Sequence, residues 1–483
     1  MRFVRGAAIV YRGRRGARWP PRGVGLAGGA VTEIRMMATT GMLGYGFTEA
    51  AFRAGLARGL DLIACDAGSQ DPGPYYLGSG TAFVARAAAK RDLGLMIAAG
   101  REHGVPVLVG SAGGGGGEPH LAWLLEIVRE IAAEGGLRLR VAAVHAEPGR
   151  GYLKRQLAAG RIAPLGPIEE LTPETIDSSR RIVAMMGLAP YQRALAEGAD
   201  IVIAGRSSDA AIFAALPVMR GADAGLAWHL GKIIECAAQV AEPRAGQDCV
   251  LGTLRDDHFV VEPAHPDKRC TRMRVAAHGL YENPDPHRLR EPEGTLDIGA
   301  ATYEQLDRRR VRVRGSRFVP ADRYSVKLEG VRRDGHRAVF FAGIRDPVLI
   351  SVIDDFIGAC RARVAGEVAG LGIAGHAYRL GVRVYGRDAV MGALEPETGA
   401  AHEVGLLVDV VADDAETSRT VLAKARYAFL HTDFPGRKCI SGNLAIPFSP
   451  SDLDGGEAYS FSVWHRMEID DPLEPFAIEW LEI

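Results

Sequence analysis

Residues 107–128, VLVGSAGGGGGEPHLAWLLEIV, contain a short apolar run, five consecutive glycines and the start of a helical pattern. The apolar run has the length and composition of a buried β-strand. After the glycines, Leu121, Leu124, Leu125 and Val128 recur at the spacing of one helix face. The stretch therefore predicts a strand that leads through a glycine-rich loop into a helix, the repeating unit of a parallel sheet covered by helices.

The same pattern recurs on both sides of this stretch. Near-continuous apolar strands that alternate with helices are typical of a parallel sheet buried on both faces. We therefore expect a Rossmann-like α/β domain over residues 33–245. The other four predicted strands lie in EIRMMATTG (33–41), LDLIACDAG (60–68), LRLRVAAVH (137–145) and DIVIAGRSSD (200–209).

After residue 245 the pattern changes to short alternating strands with tight turns, which favours a mixed or antiparallel sheet. We expect an α+β region over residues 246–483, with a further division near residue 375. Residues 1–32 carry seven arginines and no acidic residue. We expect this segment to be a disordered leader or a mis-assigned start.

Composition limits the classes of function. The chain has 483 residues and a formal net charge of -1, so it offers no overall attraction for nucleic acid or an anionic membrane. No apolar segment reaches the roughly 20 residues of a membrane span. The six cysteines are scattered, without the spacing of a zinc knuckle or a disulfide framework. We expect a cytoplasmic homo-oligomer that acts on a small molecule.

Ligands of open parallel sheets bind beyond the carboxyl ends of the strands, where loops lead into helix N-termini. The glycine loop lacks the Gly-Lys-Ser/Thr of a phosphate-binding loop and the third glycine of GxGxxG, so nucleotide binding is disfavoured. Ser111 and Gly113 follow the strand directly, and we expect them to bind substrate. The remaining glycines, 114–117, form either the rim or lid of a pocket or an exposed loop.

The loop GRSSDAA (205–211) combines an anion-binding side chain with two hydroxyls and a carboxylate. Arg206 suits a carboxylate or phosphate, and Ser207 suits the same anion. Asp209 is a candidate general base. The alternative is a helix cap, with Ser207 and Ser208 as capping residues and Arg206 in a surface ion pair.

A second polar loop follows the strand at residues 60–68. Asp66, Ser69 and Gln70 could position a hydroxy acid, and Asp66 with Asp71 could hold a divalent cation. Turn formation before Pro72 explains Asp71 equally well.

Further titratable residues lie in the helix 225–241 and beyond residue 245. His229, Lys232, Glu235 and Gln239 share one stripe, which indicates either a solvated face or a Glu235 with a raised pKa that acts as general acid or base. His278 and Lys327 are candidates for the acid or for stabilising an enolate. The alternation of a strand puts Lys327 and Glu329 on one face, where a surface ion pair is the alternative.

Six segments of the chain form a recognisable series when they are taken in order. They are GADIVIAGRSSDAA (198–211), IIECAAQ (233–239), HGLYENPDPHRLREPEGTLDIGAATYEQLDRRRVRVRGSRF (278–318), KLEG (327–330), GIRDP (343–347) and NLAIPFSPSD (443–452). Together they resemble the acyclic terpene utilisation family, AtuA, and the similarity runs from about Glu33 to the C-terminus. Two positions depart from that family: Ser111 stands where an Asn usually precedes Ala-Gly-Gly, and the opening reads ATTGMLGYGF (38–47).

The resemblance implies a catabolic enzyme for branched or unsaturated carboxylic acids and their CoA thioesters, accompanied by a small partner protein. We expect hydration, dehydration or double-bond isomerisation, without a cofactor. Two alternatives remain: a noncatalytic binding or scaffold subunit of an acyl-CoA-metabolising complex, and a metal-dependent lyase that uses Asp66, Asp71 and a histidine.

Overall fold

The structure is a computed structural model that describes residues 33–244, 246–397, 399 and 401–483. The predicted leader, residues 1–32, lies outside the described residues. The chain divides into two compact units. Unit 1 runs to Val331 and includes Phe461–Ile483, and unit 2 is Arg332–Ser460. Within the described ranges, no helix is both long and apolar enough to cross a membrane.

The strands are numbered in chain order, and two of them, β17 and β20, contribute residues to both units. They are β1 (Ile34–Ala38), β2 (Leu62–Asp66), β3 (Val107–Gly110), β4 (Arg140–Val144), β5 (Ile162–Pro164), β6 (Arg181–Met185), β7 (Ile201–Ala204), β8 (Ala241–Glu242), β9 (Val250–Leu254), β10 (Phe259–Pro263), β11 (Arg269–Cys270), β12 (Arg288–Glu291), β13 (Gly294–Asp297), β14 (Thr302–Gln305), β15 (Val311–Arg314), β16 (Arg317–Pro320), β17 (Ser325–Ile344), β18 (Tyr378–Tyr385), β19 (Val404–Ala412), β20 (Asp452–Glu468) and β21 (Ile478–Glu482).

The α-helices begin at capping residues in several places. Thr48 accepts a hydrogen bond from Ala51 N, and Asp223 accepts one from Leu226 N. The helices are α1 (Glu49–Leu56), α2 (Pro74–Ser79), α3 (Arg86–His103), α4 (Glu118–Gly135), α5 (Arg150–Ala158), α6 (Pro173–Ser178), α7 (Leu188–Ala196), α8 (Ala211–Met219), α9 (Ala224–Ile234), α10 (Arg272–His278), α11 (Pro347–Ser351), α12 (Ile353–Ala369) and α13 (Ala415–His431).

A ten-stranded sheet organises unit 1, in the order β14-β15-β10-β9-β1-β2-β3-β7-β4-β21. The five central strands, β1-β2-β3-β7-β4, are parallel. These are the five strands that the sequence predicts. The flanking strands β9, β10, β15 and β14 on one side and β21 on the other are antiparallel.

Both faces of the parallel strands are buried. Alternate strand residues enter two separate cores, so Met36 and Leu108 pack on one face and Met37 and Val109 on the other. Helices α7, α8 and α9 contribute to the first core, and α3 and α4 to the second. Burial on both sides explains why the strands are apolar almost throughout.

The structure confirms a mixed α/β fold with parallel strands, but it does not confirm the finer prediction of a Rossmann-like parallel sheet. The strand order differs from the two halves of the dinucleotide-binding fold. β9 lies beyond the predicted boundary at residue 245, yet its hydrogen bonds to β1 extend the same sheet. The compact units therefore divide after Val331 instead of after residue 245.

Unit 1 also contains two smaller sheets and part of a six-stranded sheet to which β5, β6, β17 and β20 belong. β12, β13 and β16 form an antiparallel sheet, and β8 pairs with β11. The first part of β17 pairs with β6, so that Lys327 lies opposite Met185 and Glu329 opposite Val183. β17 is one strand of 20 residues, whereas the sequence suggested several short strands.

Unit 2 is an α+β arrangement. The second part of β17 pairs with β19, and β19 pairs with β18, both antiparallel. Its core includes residues of β17, β19, α12 and α13, among them Phe340, Val408, Phe356 and Phe429.

Candidate functional site

Three loops of unit 1 meet at the carboxyl edge of the parallel strands. β2 ends at Asp66, which lies opposite Gly110 at the end of β3, and Ser111 follows directly. β7 ends at Ala204, two residues before Arg206. Arg206 Nη1 donates a hydrogen bond to Ser111 Oγ over 3.2 Å. The loops that the sequence places at one edge are therefore in direct contact.

Asp209 joins these residues, and we call Asp66, Ser111, Arg206 and Asp209 the strand-end cluster. Arg206 Nη1 lies 3.3 Å from Asp209 Oδ1 and donates to the carbonyl oxygen of Ser207 over 2.8 Å. Asp209 is partly exposed, with 24% of its side chain accessible. It is therefore the member through which the cluster meets solvent.

Asp66 is the buried carboxyl group of the strand-end cluster. Its Oδ2 accepts a hydrogen bond from Gly68 N over 2.9 Å, and its Oδ1 is buried without a partner among the described residues. Burial raises the pKa of Asp66 well above its ordinary value, and the charge of Asp209 raises it further, while Arg206 opposes both. Asp66 is therefore a carboxyl group that holds its proton more tightly than an exposed one.

The Arg206 guanidinium is buried and paired with a second carboxylate. Its Nε donates to Glu329 Oε2 over 2.7 Å, and Glu329 is fully buried. Burial lowers the pKa of Arg206, but Glu329 and Asp209 outweigh that effect and hold it above its ordinary value. The alternative of a surface ion pair for Arg206 is wrong, because the side chain is inside the protein.

Lys327 extends this chain of charges. Its Nζ lies 2.7 Å from Glu329 Oε1 and 4.1 Å from the centre of the Trp464 ring. Burial opposes ionisation of Glu329, but Arg206 and Lys327 outweigh it and lower the pKa of that carboxyl group. The alternative of a surface pair for Lys327 and Glu329 is therefore wrong. Glu329 lies where β17 pairs with β6, and its side chain is buried against Arg206.

The glycine run is buried and packed against the strand-end cluster, so an exposed loop is the wrong alternative for residues 114–117. Gly116 has a positive φ of 68°, and a Cβ there would lie 2.4 Å from the backbone nitrogen of Arg206. At Gly68, a Cβ would lie 2.7 Å from the Cα of Gly114. Bare backbone is needed because the loops after β2, β3 and β7 approach each other this closely.

Replacing Gly116 with Ala is expected to destabilise the protein by roughly 3 kcal/mol, because the left-handed backbone costs about 1–2 kcal/mol and overpacking adds a similar amount. Gly136 is the matched control, since its φ of 57° is also positive but a Cβ there meets nothing within 4 Å. Urea unfolding measures both variants. Equal losses in the free energy of unfolding for Gly116→Ala and Gly136→Ala would contradict the close packing of Gly116 against Arg206.

The two serines of GRSSDAA bind other side chains instead of capping a helix. Ser207 Oγ accepts a hydrogen bond from Tyr191 over 3.0 Å, and Ser208 Oγ donates to Glu291 Oε2 over 2.7 Å. α8 begins later, and its cap residue Ala210 offers no side-chain acceptor. The capping alternative is therefore wrong for both serines.

Two acidic residues of this region were not singled out from the sequence: Glu291, which accepts the hydrogen bond from Ser208, and Glu293 two positions later. Burial raises the pKa of Glu291 to about 8 and that of Glu293 to about 7. Glu293 Oε1 accepts hydrogen bonds from Leu188 N over 2.6 Å and from the hydroxyl of Tyr324 over 3.3 Å. The available signal was two glutamates on either side of a proline, residues 291–293.

Glu293 makes the stability of the protein dependent on pH. The folded state keeps a proton up to about pH 7 that the unfolded state loses near pH 4.5, so stability falls as the pH rises through this window. Replacing Glu293 with Gln removes the effect. The variant is expected to gain about 3 kcal/mol over the wild type at pH 8.5 and nothing at pH 4, measured by urea unfolding.

The exposed Glu126 of α4 provides a control, because Glu126→Gln should leave the pH dependence unchanged. A gain for Glu293→Gln that is the same at both pH values would contradict the raised pKa.

A second group of residues lies where two helices end. It consists of Glu235 and Cys236, which follow α9, and His278, the last residue of α10, and we call it the helix-end cluster. Their ligand atoms all lie within 4.8 Å of one another. Lys232 Nζ donates to Glu235 Oε1 over 2.5 Å, and both side chains are buried. The alternative of a solvated helix face is therefore wrong for Lys232 and Glu235. The three residues of the helix-end cluster offer a carboxylate oxygen, a sulfur and an imidazole nitrogen close enough together to hold a metal ion.

Burial, together with the charge of Asp209, raises the pKa of Glu235 to about 8, although Lys232 opposes it. The interaction with Asp209 shows that the helix-end and strand-end clusters are neighbours. Burial, assisted by the charge of Lys232, lowers the pKa of His278 to about 3. Burial therefore favours the neutral imidazole of His278, and its expected role as the acid or in stabilising an enolate stays a prediction.

Two other residues of the predicted stripe lie outside both clusters. His229 Nδ1 lies 2.6 Å from Ser316 Oγ, and its Nε2 lies 3.3 Å from the hydroxyl of Tyr303. α9 ends before Gln239, which lies in a short 3₁₀-helix, residues 237–240. The helical stripe stops at Glu235 because Ala237 adopts a positive φ of 45°.

Ser69, Gln70 and Asp71 form the loop after Asp66. Ser69 Oγ accepts from Asp71 N over 3.2 Å, and Gln70 Nε2 donates to the carbonyl oxygen of Gly115 over 2.8 Å. Asp71 is exposed and hydrogen-bonds Glu282, whose pKa is raised by burial and by this contact. These three residues shape the loop through contacts within the protein. Their expected role in binding substrate or metal stays a prediction.

At the start of the glycine run, Ser111 and Gly113 both have a left-handed backbone conformation. Ser111 has a φ of 48°, and Gly113 has a φ of 61°. A Cβ at Gly113 would lie 2.8 Å from the Cβ of His120. Gly113 therefore allows α4 to pack closely, and its expected contact with substrate stays a prediction.

Comparison with known proteins gives one match. A family model described as "Acyclic terpene utilisation family protein AtuA" matches residues 88–445 of the chain. This range includes Ser111, Arg206, Asp209 and Glu329 and leaves out Asp66. No curated protein and no solved structure matches the chain.

Proposed function

The chain belongs to the acyclic terpene utilisation family, and from that premise we propose that it is an enzyme that transfers protons to and from a small carboxylic acid or its CoA thioester. The reaction is a hydration, a dehydration or a shift of a double bond. One observation carries the proposal: Oδ1 of the buried Asp66 carboxyl group has no hydrogen-bond partner among the described residues, and the charges of Arg206 and Asp209 act on this group.

Proton transfer needs a group that holds and releases a proton near the working pH. Burial raises the pKa of Asp66 and so favours its protonated form, and Asp209 provides a second, more exposed carboxylate at 3.3 Å from Arg206 Nη1. An acid and a base that differ in environment can take opposite roles in one reaction. We assign Asp66 to hold the proton and Asp209 to receive it from, or return it to, the substrate.

Arg206 supports binding of a substrate oxygen. Its Nε and Nη1 donate to protein groups, and no hydrogen bond from its Nη2 to a described residue is found. Nη2 is thus the donor that we assign to the carboxylate or thioester oxygen. A fixed guanidinium there stabilises negative charge that develops when a proton leaves the neighbouring carbon.

The alternative of a noncatalytic scaffold explains these features less well. Burying carboxyl groups without full pairing costs free energy of folding. A scaffold gains nothing from Asp66 Oδ1 being left without a partner, whereas an enzyme that moves protons does.

The test of the proposed function is a panel of unsaturated and hydroxylated carboxylic acids and their CoA thioesters. A ligand of the native state raises the melting temperature by mass action. Compounds that do so are then incubated with the pure protein, and gain or loss of water or a moved double bond is followed by mass spectrometry and NMR. Stabilisation without conversion of any compound would favour the scaffold, and conversion supports the enzyme.

A further inference from the structure

We propose that Glu235, Cys236 and His278 bind a zinc ion. Glu235 and Cys236 follow α9 directly, and His278 is the last residue of α10. A carboxylate oxygen, the thiol sulfur and an imidazole nitrogen of these residues lie within 4.8 Å of one another. Two helix ends therefore bring three different ligand types to one point.

The His278 ring stacks on that of Tyr281, with ring centroids 5.3 Å apart, but no hydrogen bond among the described residues explains the positions of the histidine nitrogen and the cysteine sulfur. His278 is 6% exposed, and its Nε2 is buried without a hydrogen bond in the part of the chain that the structure describes. No described residue hydrogen-bonds Cys236 Sγ, although such bonds exist for Cys65, Cys360 and Cys439. A buried polar atom without a partner costs about 1–3 kcal/mol, which a bound metal ion would offset.

The types of ligand at this point indicate which metal ion binds. Thiolate, imidazole and carboxylate together suit Zn²⁺, whereas Mg²⁺ and Ca²⁺ require oxygen ligands. Binding requires Cys236 as a thiolate and Glu235 as a carboxylate, and the protons that these two groups carry are released to solvent. With Glu235 ionised, the two negative ligands balance the charge of the ion. Three protein ligands leave a fourth tetrahedral position open, as in catalytic zinc sites.

The surrounding charges are compatible with an ion at this point. Lys232 Nζ donates a hydrogen bond to Oε1 of Glu235, so Oε2 is the carboxylate oxygen available to the metal ion. The charges of Asp209 and Glu282 act on both Glu235 and Cys236 and offset the ammonium of Lys232. The ion would lie beside Asp209, yet its binding does not depend on the proposed proton transfer.

The experiment uses the full-length protein, stripped of metal and titrated with Co²⁺, whose tetrahedral thiolate complexes absorb in the near ultraviolet and the visible. The wild type should bind one equivalent with a thiolate-to-cobalt band, and Zn²⁺, but not Mg²⁺, should remove it. Cys236→Ser should lose the band, while the exposed Cys439→Ser should keep it. His278→Gln should bind Co²⁺ at least about tenfold more weakly.

Absence of the band in the wild type would overturn the proposal, as would a band that persists in Cys236→Ser. If Cys236→Ser does not fold, judged by circular dichroism, the wild-type spectrum and His278→Gln decide instead. An unchanged Co²⁺ affinity in His278→Gln would then contradict the site.

Discussion

Replacing Asp66 with Asn is expected to slow the reaction by about 10²–10⁴-fold, the usual contribution of a positioned acid or base. Asn has the same shape and can still accept the hydrogen bond from Gly68 N, so the loop keeps its form. It cannot give up or take a proton at Oδ1. The comparison is kcat/KM of the variant and the wild type, on a substrate identified in the panel of acids and thioesters.

Asp200 provides the matched control at the other end of the sheet. It is also buried, its pKa is raised by burial to about 6, and it accepts a hydrogen bond from Arg140 N over 2.7 Å. Because Asp200 precedes β7 and Asp66 ends β2, the two carboxyl groups lie at opposite edges of the parallel strands. Asp200→Asn should therefore leave kcat/KM within about twofold of the wild type. Similar losses in both variants would mean that Asp66 has only a structural role.

Replacing Glu329 with Ala is expected to destabilise the protein by about 3–5 kcal/mol, because it leaves the buried Arg206 charge without its main partner. Lys327 also loses its partner, but it can turn to solvent because 25% of its side chain is exposed. The measurement is the free energy of unfolding in urea.

An exposed ion pair of the same kind serves as the control. Glu304 Oε2 lies 3.0 Å from Arg312 Nη1 across β14 and β15, and 58% of the Glu304 side chain is accessible. Glu304→Ala should cost at most about 1 kcal/mol. The double variant Arg206→Met with Glu329→Leu should recover part of the loss, because it leaves neither charge buried alone. A loss below 1 kcal/mol for Glu329→Ala would contradict the buried pairing.

The parallel core and the meeting of its loops were predictable from sequence. Strands buried on both faces are apolar throughout, so Leu62 to Ala64 and Val107 to Val109 stand out without an alignment. Their carboxyl ends must lie at one edge, which is why Asp66, Ser111 and Arg206 could be grouped before their distances were known.

Features that depend on distant pairing were not predictable. The alternation of its neighbours predicts Glu329 at the surface, yet its side chain is buried against Arg206, which is distant in the sequence. β9 likewise joins β1 from beyond the expected domain boundary. Contacts of such high sequence separation leave no local periodicity from which they could be inferred.

The burial of Glu235 was foreseen only as one of two alternatives. A single polar stripe on a helix is ordinarily solvated, and the sequence does not show that the loop carrying Glu282 approaches this helix end. The conformation of the glycine run could not be predicted for a similar reason. Glycine permits both a mobile loop and close backbone packing, and the choice depends on Arg206 lying against Gly116.

The most direct test of the central claim is solvent deuterium incorporation into the substrate. Wild-type protein in D₂O, incubated with the acid or thioester that it converts, should place deuterium on the carbon that receives a proton in the forward reaction or in its reverse. Asp66→Asn should incorporate it at least about 100-fold more slowly, and Asp200→Asn at the wild-type rate. Deuterium incorporation by Asp66→Asn at the wild-type rate, or conversion by the wild type without any incorporation, would contradict a proton-transfer site at the strand ends.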